Sequence, residues 1–248
     1  MEPTLDIADL EVRYGQHVAL SGVTMALERP TSLAIIGPNG SGKSTLLSAI
    51  AGLAPPATGS VRVRSSLPVA LVLQSTDVER SLPITVRDTV AMARYPGLGL
   101  LRRFSEADRR AVDRALERLD IVDLASSQLH GLSGGQRQRV LVAQGLAQDT
   151  DVLLLDEPVT GLDVVSRQLI LDIVDEERDA GRLVAMTTHN LEDARRCDQV
   201  LLLNTRPVAF GPPPVALSDE HLHEAYGGRV LRLGDEVLLD DPHHEHRC

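Results

Sequence analysis

Gly37-Pro38-Asn39-Gly40-Ser41-Gly42-Lys43-Ser44 is the stretch that decides the fold, with Thr45 following it. It fits the pattern G-x-x-x-x-G-K-[ST], and its surroundings fit as well. The apolar run Leu33–Ile36 before it reads as a short buried strand, and Lys43 to Ala51 after it reads as a helix capped by Gly52. Glycines let backbone N–H groups turn inward around an anion, and the helix start adds its positive dipole end. A glycine-rich turn with no ligand is the plainer reading, but it explains neither the strand nor the lysine. Lys43 is the only lysine among 25 basic residues. A compact ammonium fits between phosphate oxygens where a planar guanidinium does not. Lys43 is thus expected on the β- and γ-phosphates of a nucleotide, and the Ser44 hydroxyl on Mg²⁺.

Two other stretches carry chemistry. Val152-Leu153-Leu154-Leu155-Asp156-Glu157 is an apolar strand ending in two carboxylates. Paired with the phosphate loop, Asp156 is expected to bind Mg²⁺ or its water, and Glu157 to polarise an attacking water. Taken alone, it would be a strand followed by a solvated acidic turn. Leu132-Ser133-Gly134-Gly135-Gln136 opens a predicted helix, Gly134 to Ala147. A Ser-Gly-Gly start is an anion-ready helix N-terminus; it is equally an ordinary N-cap with a glycine turn.

Outward from these stretches the chain alternates strands and helices. Residues 5–27 read as strands turning at Tyr14-Gly15, residues 53–59 as a loop, and Val61, Val63 and Val69–Leu73 as strand again. Residues 81–148 are helical in character; Ser105 and Asp108 form a capping box that opens a helix with Val112, Ala115, Leu116 and Leu119 on one face. Asp163 to Ala180 is a helix closed by Gly181, and Leu183–Thr188 and Val200–Asn204 are strands. The pattern is α/β with a parallel sheet and a helical insertion near 80–148.

Composition excludes several classes. A net charge of −10 argues against a general nucleic-acid binder, so no nucleic-acid partner is expected. Two cysteines, Cys197 and Cys248, make no disulfide framework. The N-terminus lacks a charged start followed by an apolar run, so no secretory signal is expected. The apolar runs are strand-sized, well short of the roughly 18 residues of a membrane span. If the protein works at a membrane, another chain must cross it.

In this order, the motifs resemble the nucleotide-binding subunit of an ABC transporter, over roughly residues 5–215. Leu132–Gln136 matches that family's signature sequence. Gln74, Gly161-Leu162-Asp163 and His189 stand at its Q-loop, D-loop and switch histidine, and Tyr14 at an aromatic that stacks on adenine. An aromatic on an edge strand is the other reading of Tyr14. Val159 departs from the threonine common after Asp-Glu-Pro. The resemblance implies a P-loop NTPase of ABC type, with a mostly parallel core sheet, an antiparallel β subdomain and a helical subdomain. It implies an ATP-binding domain over 1–228 and an extension over 229–248. Glu157 would be the catalytic base, Gln74 would sense Mg²⁺ and the water, and His189 would contact the γ-phosphate. Ser133, Gly134, Gly135 and Gln136 would meet the ATP of a second ATP-binding subunit in a head-to-tail dimer, expected to be a homodimer. Other implied partners are integral membrane permease subunits and, indirectly, a substrate-binding protein, with this chain on the cytoplasmic face of the cell membrane. Leu82-Pro83-Ile84, Val86, Val90 and Met92 are candidates for the permease contact, with buried core as the rival reading.

Leu82-Pro83-Ile84-Thr85-Val86, Ala93-Arg94-Tyr95, the segment Val208 to Pro213 and Tyr226-Gly227-Gly228 resemble zinc, manganese and iron importers. The tail adds His243, His244, His246 and Cys248, ligand types suited to Zn²⁺; an incidental terminus is the plainer reading. Zinc is therefore the expected cargo and manganese the next. Two rivals stand against this: a non-transport ABC ATPase, which usually carries coiled-coil insertions absent here, and a small P-loop kinase, which lacks Leu132–Gln136 and His189.

Overall fold

Strand β3 (Thr31–Ile36) runs straight into the glycine loop, and helix α1 (Lys43–Ile50) leaves it. The structure, a computed structural model, describes residues 2–74, 83–97 and 103–227, plus the backbone of β10 (Val230–Leu233) and β11 (Glu236–Leu239). β3 lies inside a six-stranded sheet with β5 (Ala70–Val72), β6 (Val152–Leu155), β7 (Leu183–Thr188), β8 (Gln199–Asn204) and β9 (Arg206–Gly211). The spatial order is β5-β6-β7-β3-β8-β9. Every pairing from β5 to β8 is parallel, and β9 closes the edge antiparallel.

Uninterrupted apolar strands follow from burial on both faces. Ala34 and Ile36, Leu153 and Leu155, and Val184 and Met186 join the core beneath the helices. Their neighbours Leu33 and Ile35, Val152 and Leu154, and Leu183 and Ala185 join a second core. That second core packs α1 against an antiparallel sheet ordered β2 (His17–Leu27), β1 (Leu5–Tyr14), β4 (Thr58–Val63). Each fully buried Leu or Ile contributes about 1.5–3 kcal/mol, so this strand set holds the loop rigidly at its end. β4 begins at Thr58, inside the segment expected to be loop.

The helical insertion contains α2 (Val86–Met92), α3 (Glu106–Arg118) and α4 (Gly134–Ala147), the last with the expected bounds. Ser105 and Asp108 form the expected capping box, and Val112, Ala115, Leu116 and Leu119 are buried. Arg118 of α3 pairs with Glu176 and Glu177 of α5 (Val164–Asp179), fastening the insertion to the core. Arg94 reinforces it through the carbonyls of Ala147 and Gln148, at 2.9 and 3.1 Å. Of the permease-contact candidates, Val86 and Val90 are wholly buried and belong to the core: α2 turns them against α3 and α4. Ile84 is partly buried against the same core, Met92 is exposed, and Leu82 lies outside the described residues.

After β7 the chain forms α6 (Leu191–Arg196), and after β9 α7 (Pro213–Ala216) and α8 (Asp219–Tyr226). β10 and β11 pair antiparallel within the extension, an element the sequence reading did not expect, although Gly234-Asp235 between the two apolar runs is a two-residue hairpin signal. His243, His244, His246 and Cys248 lie outside the described residues. Among the described residues, no group of three or more His, Cys, Asp or Glu side chains could hold a metal ion, and no helix is long and apolar enough to cross a membrane.

Candidate functional site

Because β5, β6, β7 and β3 are parallel, their C-terminal ends share one edge of the sheet, where open α/β sheets place ligands. From β3 comes the glycine loop. Gln74 follows β5, Asp156 and Glu157 follow β6, and His189 follows β7. Four segments far apart in the chain thus meet at one edge.

The loop's glycines are fixed by close approach. A Cβ on Gly37 would lie 1.9 Å from the Leu203 carbonyl oxygen, and one on Gly42 2.6 Å from that of Ala19. Gly42 also has φ +98° and starts α1 with no side chain capping the first turn. The helix start is therefore left for a ligand that carries negative charge. The Lys43 ammonium, buried, donates to the carbonyls of Gly37 at 2.8 Å and Pro38 at 3.1 Å, so it already spans the loop. Ser41 is 2% exposed, and among the described residues its Oγ has no hydrogen-bond partner. A buried hydroxyl inside a ring of N–H groups and an ammonium fits a phosphate oxygen. Asn39, Gly40 and Ser44 are exposed at the mouth, and Pro38 and Thr45 are half-buried.

Asp156 and Glu157 differ sharply in environment. Asp156 is buried; its N–H donates to the Val72 carbonyl at 2.8 Å, and its Oδ1 accepts from the Thr187 hydroxyl at 2.7 Å. Glu157 is half-buried with φ +46°, a left-handed backbone that is costly for a residue with a side chain. Its N–H donates to Thr187 Oγ1 at 2.7 Å, and its Oε2 accepts from the Gln74 amide at 3.2 Å. Gln74 and Glu157, 83 positions apart, are thus in contact. Thr187 escaped notice in the sequence because it is one more residue of an apolar strand. Its only signal is a hydroxyl two residues before His189. His189 is exposed, on a turn held by Asn190, whose N–H donates to Thr188 Oγ1 at 3.0 Å and whose Oδ1 caps α6. A Ser44 hydroxyl and an Asp156 carboxylate with one occupied oxygen are hard-oxygen donors of the kind Mg²⁺ takes.

The Ser133 start is built differently. Ser133 Oγ accepts from the Gln136 N–H at 3.2 Å, and Gln136 Oε1 accepts from the Ser133 N–H at 3.0 Å. Ser133 and Gly134 are exposed. A Cβ on Gly135 would lie 3.5 Å from Asp163 Oδ2, so the Ser133–Gln136 segment and the D-loop position are neighbours. Asp163 is the N-cap of α5 rather than its first residue. Its carboxyl is held below the usual range, chiefly by the Ser166 N–H. Tyr14 ends β1, 57% exposed, and no ring stacks on it among the described residues.

A strand, a glycine loop, an uncapped helix start and carboxylates at the same sheet edge define a P-loop nucleotide-binding protein. The sequence profile of the ABC transporter family matches residues 8–160, and the chain belongs to that family. It is 37% identical over 97% of its length to the chelated iron transport system membrane protein YfeB of Yersinia pestis, covering 86% of that protein. It is 34% identical over 95% of its length to the manganese transport ATP-binding protein MntB of Bacillus subtilis, covering 97% of it. Against the zinc transport ATP-binding protein TroB of Treponema pallidum the identity is 37%, over 91% of this chain and 88% of that protein. A solved structure of an inward-facing "metal-chelate type ABC transporter" superposes with TM-score 0.82 at 26% identity, covering 96% of both chains.

Proposed function

We propose that this chain is the ATP-binding and ATP-hydrolysing subunit of an importer of a divalent metal ion, acting on separate membrane permease subunits from the cytoplasmic face. The observation that carries this reading is the convergence of the phosphate loop, Asp156, the Gln74–Glu157 pair and His189 at one sheet edge. ATP phosphates would enter the loop, drawing on Lys43, the Ser41 hydroxyl and the start of α1. Ser44 and Asp156 would hold Mg²⁺, which when bound neutralises charge on the phosphate oxygens. Glu157 would take the proton of the attacking water, with Gln74 fixing its carboxylate and His189 reaching the γ-phosphate.

The self-capped, exposed Ser133–Gln136 segment supports a dimer in which each chain offers that segment to the other's ATP. Val164 and Val165, 82% and 78% exposed beside Asp163, give that face an apolar component. For the permease contact, Met92, Tyr95 and Leu73 replace the buried Val86 and Val90. Relatives named for iron, manganese and zinc support a transition-metal cargo. Zinc is our first choice and manganese the second, on the histidine and cysteine tail. Single-metal rescue of uptake in a deletion strain tests the choice; rescue by iron alone would end it.

Glu157→Gln tests hydrolysis. Turnover should fall about 10²–10⁴-fold, while ATP binding persists. Wild-type turnover in that variant would sink the proposal.

A further inference from the structure

Between the glycine loop and the carboxylates lies a full strand. β7 separates β3 from β6 in the sheet, so the two halves of the site do not adjoin directly. Thr187 on β7 connects to the β6 half. It is fully buried, and its hydroxyl has one proton and two lone pairs. The Glu157 N–H is a donor, so Oγ1 must accept there, at 2.7 Å. The hydroxyl proton is then committed to Asp156 Oδ1, at 2.7 Å. One group thus fixes two things: the rotamer of the Asp156 carboxylate, leaving Oδ2 for a cation, and the left-handed backbone of Glu157, which sets the direction of its side chain toward Gln74.

We propose that Thr187 is a positioning residue for ATP hydrolysis: its single hydroxyl orients the Mg²⁺-facing carboxylate of Asp156 and the general-base carboxylate of Glu157 together. This rests on the hydrolytic reading above. Both bonds are directional, and Thr187 and Asp156 are themselves buried. Loss of the hydroxyl leaves the Glu157 N–H without its acceptor and the Asp156 carboxylate without its donor, so the rotamer of the one and the backbone turn of the other lose their shared anchor. His189 lies two residues further along the chain, one past the end of β7, so the expected γ-phosphate contact and the carboxylate anchor are joined by a short stretch of backbone.

The test compares purified full-length Thr187→Val, Thr187→Ser and Glu157→Gln with the unaltered chain. Thr187→Val, of nearly the same shape, should lower kcat about 10- to 100-fold, the range seen when partners that orient metal ligands are removed. The Mg²⁺ concentration that half-saturates binding of a fluorescent ATP analogue should rise about tenfold, while analogue binding in EDTA stays unchanged. The Glu157 amide should lose its protection from hydrogen exchange. Thr187→Ser keeps the hydroxyl and should keep turnover, Mg²⁺ dependence and amide protection near those of the unaltered chain; this arm decides if the valine variant does not fold. Unaltered turnover and Mg²⁺ dependence in Thr187→Val, or loss of turnover in Thr187→Ser, overturns the proposal. An inactive Glu157→Gln beside a fully active Thr187→Val would remove the positioning role alone. Normal turnover in Glu157→Gln would remove the hydrolytic reading itself.

Discussion

Two helices of this protein begin on glycine-rich segments, and their N-termini are in opposite states. The start of α1 has no side-chain cap, lies against buried Ser41 and Lys43, and owes its shape to glycines that tolerate no side chain. The start of α4 is closed on itself by the Ser133–Gln136 capping box, and a Cβ at Gly134 would meet nothing within 4 Å. Orphan N–H groups at a helix start must be satisfied by someone. At α1 the protein leaves that task to a ligand it is shaped to enclose. At α4 the Ser133 and Gln136 side chains take up part of the task internally, and the surface stays open. On the function proposed above, the first would bind within one chain, and the second would bind only when another molecule is brought to it.

Breaking the α1 side should have the largest effect. Lys43→Ala removes the ammonium that spans Gly37 and Pro38, and ATP affinity of the isolated chain should fall about a hundredfold, as expected for a charged hydrogen bond of about 3 kcal/mol; equilibrium binding of a labelled nucleotide measures it. An affinity within twofold of the unaltered chain would make the two N-termini equivalent. Breaking the α4 side should leave that affinity alone. Ser133→Ala should cost about 1 kcal/mol of stability for the lost cap and lower turnover about tenfold, with ATP binding by the isolated chain unchanged. Chemical denaturation and steady-state hydrolysis separate the two effects, and weakened binding would place Ser133 at the chain's own nucleotide.

A third N-terminus sharpens the contrast, with the smallest effect. At α3 the capping box uses a carboxylate: Asp108 accepts from the Ser105 N–H and hydroxyl and from Arg94. The Ser105 hydrogen bonds, with Arg94 behind them, bring its pKa down from 3.8 to about 2. A lowered folded pKa means stability that is present above the unfolded value and lost as pH falls toward the folded one. The chain should lose about 1 kcal/mol between pH 5 and pH 2 through this group, allowing for solvent screening of the partly exposed Arg94. Asp108→Asn should remove that part of the acid dependence in urea titrations at stepped pH. The Ser133–Gln136 box, which has no titrating member, should contribute none.

Both N-termini were legible in the sequence, because each is written within one helical turn. Gly37 to Ser44 stands between its own strand and helix, and Ser133-Gly134-Gly135 reads as an N-cap with a glycine turn; neither needs a distant residue to be recognised, though the Gln136 half of the capping box came only with the structure. The limits of α4, the box at Ser105 and the strands Val152–Leu155 and Leu183–Thr188 were legible for the same reason: their patterns have periods of a few residues. Val86 and Val90 were not, since an apolar residue on a short helix looks alike whether it faces a neighbour or a partner, and only the packing of α2 on α3 and α4 decides.

The sequence by itself thus determined that this chain has a phosphate-binding loop on an α/β sheet, with the motifs of the ABC transporter family in their order. The tertiary structure alone decided how those motifs touch. Strand order set β7 between the loop and the carboxylates, brought Gln74 to Glu157, and made Thr187 the shared anchor of Asp156 and Glu157. The reason is physical. Hydrogen bonds along a turn are specified by neighbouring residues, whereas those across a parallel sheet join residues 31 and 83 positions apart. Which strands lie side by side is settled by how whole faces pack, and no short stretch of sequence contains that information.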